Sequence, residues 1–283
     1  VTANHVVQAN LPGIEVKIKQ QGKLCKPLAK RFGINIIKPG ILPKLFHSFK
    51  RNISIFRENG QLPKAGLVFI AQQFQANAHS AAYGLVTLFG LVGIDPYQGM
   101  DGVRALEHAV SELGFIGAHL YPHWYELPAN HARYYPFYAK CIELDVPVQM
   151  QVGQSLLYSK EQRCRSVGRP IYLDDIACDL PELKLIGSHV GIPWHDEMIA
   201  MAWKHDNVYI ATDAHSPKYW PESVVRFINS YGQDKVIFGT DFPVLRFERT
   251  VSEIDDLGLK PEVRRKFMRD NAVRIYGLED RIQ

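Results

Sequence analysis

Two apolar runs in this chain each stop at one ionisable side chain. Lys235-Val-Ile-Phe-Gly-Thr-Asp-Phe-Pro-Val244 stops at Asp241, and Leu185-Ile-Gly-Ser-His-Val-Gly-Ile-Pro-Trp194 stops at His189. A short run rich in β-branched residues reads as a buried parallel strand, and the polar residue at its C-terminal end faces the mouth of a barrel or sheet. A carboxylate and an imidazole delivered to one mouth suit general acid/base chemistry or a metal-bound water. Asp241 and His189 are therefore the candidate catalytic residues, and a shared site requires their side chains to converge.

Other residues join them if the same rule holds along the chain. Ala118-His-Leu-Tyr-Pro-His-Trp124 and Ala211-Thr-Asp-Ala-His215 also end apolar runs in His and Asp. Gln151, His123, Tyr121, Trp194 and His215 are candidate substrate-binding residues, with Gln151 hydrogen-bonding rather than acting as a base. Trp124, Tyr219 and Trp220 could wall a pocket for a planar substrate or simply pack under loops, and Lys218 could hold a substrate carboxylate. Each residue has a plainer reading: a core imidazole bonded to a carbonyl, or a carboxylate bonded to backbone amides. His47, His79, His108, His131, His195 and His205 fall in helices or loops and are assigned no chemistry. Gly-rich phosphate loops and G-x-S-x-G elbows are absent from the sequence, which disfavours nucleotide binding and serine hydrolysis.

The elements that must position these groups alternate. Strands are expected at 66–71, 88–94, 115–120, 147–152, 184–187, 208–211 and 235–239. Helical spacing is expected at 73–83, 101–113, 132–144, 173–179, 195–205 and 221–231, with a closing helix over 260–276. Strand–helix alternation with short loops signals a parallel sheet with right-handed crossovers. An opening strand at 2–7 would bring the count to eight, the number that closes a (β/α)8 TIM barrel. Residues 1–283 then form a single domain, in which about 8–64 is a long insertion between the first two strands that could cover the mouth as a lid.

Composition bounds the rest. The 283 residues are 46% hydrophobic and 22% charged, which is ordinary for a folded globular protein. No stretch is apolar enough to span a membrane, and a cytoplasmic protein is expected. Cys25, Cys141, Cys164 and Cys178 are widely spaced and read as reduced thiols rather than a disulfide framework. Residues 1–64 carry nine Lys and three Arg against Glu15 and Glu58, about +10, leaving 21 basic and 27 acidic residues, about −6, in the remainder. A basic patch for an anionic partner is one reading of this skew, and a solvated helical face is the other. Neither aromatic stacking platforms nor Arg clusters for nucleic acid are read in the sequence, so nucleic acid is not expected as a partner.

Taken together, Asp241-Phe-Pro, Asp270-Asn-Ala-x-Arg-x-Tyr-Gly277, Gly187-Ser-His-Val-Gly191, Val146-Pro-Val-Gln-Met-Gln-Val-Gly153 and Tyr134-Tyr-Pro-Phe-Tyr138 resemble the amidohydrolase-related family of aminocarboxymuconate-semialdehyde and γ-resorcylate decarboxylases. The resemblance covers residues 90–277 well and 1–84 poorly. It implies a metal-dependent-hydrolase TIM barrel that hydrolyses or decarboxylates a small carboxylated or cyclic substrate. It also implies a divalent metal, typically zinc, held by a His-x-His pair, a fifth-strand His and the eighth-strand Asp, with a sixth-strand His as acid/base or ligand. Here Asp241, His189 and His5 match that set, while Val7 and Gln151 stand where imidazoles are expected. Amide oxygens are poor zinc ligands, so zinc on this remnant is expected to be weak, unless His119, His123, Asp213 or His215 take over. No organic cofactor is expected, and a homo-oligomer is possible for this fold. The rival reading is a barrel that has lost its metal and serves as a binding or subunit-interaction module.

Overall fold

The structure, a computed structural model, describes residues 3–10, 66–73, 89–154, 165–242 and 244–281, the first two of these ranges as backbone strands. Eight strands form one sheet in sequence order: β1 (Ala3–Asn10), β2 (Gly66–Gln73), β3 (Leu91–Gly93), β4 (Ala118–Leu120), β5 (Val148–Gln151), β6 (Leu185–Ser188), β7 (Val208–Ala211) and β8 (Val236–Ile237). From β3 to β8 every neighbouring pair is parallel, giving six parallel strands. The helices between them are α1 (Gly99–Leu113), α2 (Pro122–Tyr125), α3 (Tyr135–Glu143), α4 (Tyr172–Asp179), α5 (His195–Lys204) and α6 (Glu222–Ile228). This is a TIM-barrel type of α/β architecture.

The first edge departs from expectation. β1 pairs antiparallel with β2, and β2 antiparallel with β3, where a closed (β/α)8 barrel would have parallel pairs. No pairing of β8 with β1 occurs among the described residues, so the barrel is not closed. A strand's period of two is the same in either direction, so the sequence pattern could not distinguish the two arrangements. His5 stands opposite Ala71 in this ladder, and Val7 opposite Phe69; their side chains lie outside the described residues. The proposed lid over 8–64 lies, apart from the end of β1, outside them too, as does the helix expected at 73–83 beyond Gln73, where β2 ends.

Alternation along the parallel strands separates two cores. Val92, Ala118, Leu120, Val148, Met150, Leu185, Val208, Ile210 and Val236 pack toward the helices, with Leu106, Phe137, Ile176, Met198 and Phe227 among their neighbours. Leu91, Ile186, Ala211 and Ile237 point to the other face, where Ala272, Val273, Ile275, Tyr276 and Leu278 from the chain's end fill the space. These last belong to the segment of α8 (Pro261–Arg265), a π turn over Lys266–Asp270, and α9 (Asn271–Ile275). The lower half of the inner face is thus plugged by apolar residues. The polar residues collect at the C-terminal ends of the strands, where βα loops carry the chemistry of such folds. A further helix, α7 (Phe247–Asp255), follows β8. Glycine lets α5 approach β6, since a Cβ on Gly187 would lie 2.5 Å from Met198 Sδ.

Candidate active site

Three adjacent strands deliver the central groups. β6 ends at Ser188, and His189 follows it; two residues past β7 comes Asp213; Asp241 follows β8. His189 Nε2 lies 3.8 Å from Asp241 Oδ2 and 4.0 Å from Asp213 Oδ2. The other oxygen of Asp213 accepts a 2.7 Å hydrogen bond from the His189 backbone N–H. One carboxylate therefore fixes the main chain of the residue whose ring sits between both. The three side chains are 16%, 8% and 22% exposed for His189, Asp213 and Asp241, open enough to meet a substrate yet mostly withdrawn from water.

The backbone at these strand ends is unusual. His189, Val190, Ala214 and Asp241 have φ of 62°, 57°, 67° and 51°, the left-handed region that non-glycine residues seldom enter. Each such residue costs about 1–3 kcal/mol, and clusters of them mark functional sites.

Imidazoles line the β4 and β7 sides. His119 is 2% exposed, and burial, aided by the charge of His189, pushes its pKa down to about 3. His123, also 2% exposed, is lowered chiefly by burial; its hydrogen bond to the Gly153 carbonyl opposes this and His189 adds to it. His215 is lowered by burial and by His189 against the opposing pull of Asp213, and its ring centroid lies 6.3 Å from that of His189. These shifts keep His119, His123 and His215 neutral near pH 7, each with one N–H and one lone pair. Nε2 of His123 donates to the Gly153 carbonyl at 3.0 Å, which leaves its Nδ1 as the lone pair. That Nδ1 and the Nδ1 of His119 are buried without a protein partner. Such atoms ask for a water or a ligand.

Asp241 shifts the other way. Burial raises its pKa to about 6, and Asp213 adds to the rise while His189 opposes it. A carboxyl tuned near neutrality can both hold and give a proton, which is what general acid/base work requires.

Below the mouth runs a buried polar chain. Tyr276 Oη donates to Gln149 Oε1 at 2.6 Å, and Gln149 Nε2 donates to Ser188 Oγ at 2.8 Å. It links the C-terminal segment to the residue preceding His189. Backbone packing fixes the β5 side: a Cβ on Gly168 would lie 2.5 Å from the His123 ring and 2.4 Å from the Gly153 carbonyl oxygen.

Of the residues singled out in the sequence, Asp241, His189, Asp213 and His215 come together, with His119 and His123 coupled to His189. Gln151 is buried at the end of β5, in register with Ser188. Tyr121 stacks on Trp124 at 3.8 Å and meets the His119 ring edge-on at 4.2 Å, so it buttresses that imidazole. Trp194 lies under the Arg169 guanidinium, 5.1 Å from its ring, and Arg169 pairs with Glu197; this ring is engaged in packing on α5. Lys218 sits over Tyr219, 4.6 Å from its ring. The Tyr276–Gln149–Ser188 chain was not visible in the sequence.

An amidohydrolase family profile matches residues 67–278. The chain belongs to the amidohydrolase family. Among curated proteins it is 31% identical over 109 residues to a 2-keto-4-carboxy-3-hexenedioate hydratase from Sphingobium; the match takes in 34% of this chain and about a third, 32%, of that one. Among solved structures it is similar to an uncharacterized TIM-barrel protein from Bordetella bronchiseptica (TM-score 0.59, 24% identity, 71% of this chain and 70% of that one). It is also similar to 5-carboxyvanillate decarboxylase from Novosphingobium aromaticivorans, complexed with manganese and a nitrobenzoic acid (TM-score 0.54, 16% identity, 67% and 64%). At these identities the structural likenesses speak for the fold.

A divalent metal of the kind that decarboxylase holds does not fit the described donors. No three ligand atoms at the mouth gather within 4.8 Å of one another among the described residues. Asp213 and Asp241 instead approach the same imidazole nitrogen, and Gln151 offers an amide where an imidazole would be needed.

Proposed function

We propose that this chain is an acid/base lyase that decarboxylates a small carboxylated, unsaturated organic substrate. The observation that carries the reading is the approach of Asp241 and Asp213 to one nitrogen of His189 at three neighbouring strand ends. Asp241, its pKa raised to about 6, is the group that gives a proton. The proton goes to the substrate carbon bearing the carboxylate; the C–C bond breaks, its electron pair stays with that carbon, and CO2 leaves. His189 then returns a proton from water to Asp241, while Asp213, bonded to the His189 backbone, holds the ring in place. His119 and Gln151 supply hydrogen bonds to the substrate's oxygens, the unpartnered Nδ1 of His119 supporting that role, while the lone pair on His123 Nδ1 accepts a hydrogen bond from a substrate hydroxyl or a water.

The kinship to a hydratase and the fold shared with a decarboxylase agree with this reading, since both reactions act on carboxylated, unsaturated compounds. The strained backbone at His189, Ala214 and Asp241 supports a functional role for this rim over plain packing. The test is incubation of the purified protein with γ-resorcylate, 5-carboxyvanillate and simple lactones, with and without added manganese or zinc, followed by chromatography and CO2 detection. Loss of CO2 from a carboxylated member supports the proposal. Turnover confined to lactones would replace decarboxylation by hydrolysis, and none across the panel would favour the binding-module reading.

A further inference from the structure

Away from the mouth, Asp174, Cys178 and His205 bring a carboxylate oxygen, a thiol sulfur and an imidazole nitrogen within 4.8 Å of one another, the only such group among the described residues. Asp174 and Cys178 are four residues apart on α4 and so share a face of that helix. His205 caps the C-terminus of α5, and its own carbonyl accepts a hydrogen bond from Lys235 Nζ at 2.9 Å. Both elements lead toward the N-terminal ends of β6 and β7, the end of the sheet opposite His189 and Asp241.

We propose that these three residues form a site for a zinc-class divalent cation that ties α4 to the end of α5. One oxygen of Asp174 already gathers two nitrogen donors, His205 Nε2 and Lys204 Nζ, each at 2.6 Å. This is the position a metal ion would take. A mixed O, N and S donor set suits a borderline ion in tetrahedral coordination, with water in the fourth place. The thiol of Cys178 in the same group adds the soft donor that a zinc-class ion favours beside an imidazole and a carboxylate. On binding, the thiol and any imidazolium proton pass to solvent and Lys204 swings away into water, its side chain being half exposed already. None of the three belongs to the acid/base group at the mouth, so the cation here is a staple between helices.

Titration of the purified protein with cobalt(II) chloride tests this without an activity assay. A thiolate–cobalt charge-transfer band should appear and should vanish on adding zinc. Cys178→Ser should abolish the band, and His205→Gln should weaken binding about tenfold or more. Asp241→Asn should leave the band intact, since no cysteine among the described residues stands at the mouth, and Lys204→Met should tighten binding by removing the competing ammonium. Absence of the band at saturating cobalt, or its persistence in a folded Cys178→Ser protein, would overturn the proposal.

Discussion

His189 Nε2 stands 3.8 Å from Asp241 Oδ2, although the two are 52 positions apart in the chain, with α5, β7, α6 and β8 between them. Two parallel strands with β7 between them bring the pair together, and both residues adopt left-handed backbone to do so. The distance is longer than a hydrogen bond, which leaves room for a water or a substrate atom to pass protons between the two.

The raised pKa of Asp241 has a consequence for stability. Between its ordinary value of 3.8 and about 6 the folded protein keeps a proton that the unfolded chain has lost. Stability from this group is therefore fully present below pH 3.8 and is lost as pH rises through about 6. The Asp241→Asn protein avoids that loss and should be more stable than the parent at pH 8, by on the order of 2 kcal/mol. Denaturant melts at pH 5 and pH 8 measure it; an Asn variant less stable at pH 8 would contradict the tuning.

Removing the Tyr276 hydroxyl strips Gln149 of a buried hydrogen bond. Tyr276→Phe should cost about 1–3 kcal/mol, the usual penalty for a buried acceptor left unpaired. Because the chain ends at Ser188, kcat should fall more than KM changes. A variant with parent stability would show that water replaces the phenol.

Gly168 is held small by the His123 ring. Gly168→Ala must displace either that ring or the Gly153 carbonyl, both within about 2.5 Å of the added methyl. Overpacking of this kind costs about 1–3 kcal/mol, and substrate affinity should weaken with it. Unchanged KM and unchanged melting would mean that the β5 loop yields freely.

The sequence pointed to Asp241 and His189 because a polar residue ending an apolar run is a local signal, and the same rule covered Asp213 and His215. What it could not supply was register. That the Asp213 carboxylate takes the His189 backbone N–H depends on how β6 and β7 align, and Tyr276 meets Gln149 across 127 residues with nothing local to announce it. The direction of β1 was illegible for the same reason, since alternation carries no arrow. α7 does carry a local signal, since Phe247, Val251 and Ile254 have helical spacing. Trp194, a substrate-binding candidate by sequence, lies 5.1 Å under the Arg169 guanidinium, a contact that only the fold around α5 creates.

The central claim is that Asp241 and His189 move the proton. It is tested most directly by turnover of the accepted carboxylated substrate in Asp241→Asn and His189→Asn, with circular dichroism to confirm the fold. Acid/base groups contribute about 10²–10⁴ in rate, so each variant should lose a hundredfold or more in kcat/KM while remaining folded. In the parent protein kcat/KM should fall as pH rises through about 6, as the acid form of Asp241 is lost. Full activity in either folded variant would contradict the account and remove that residue from the mechanism.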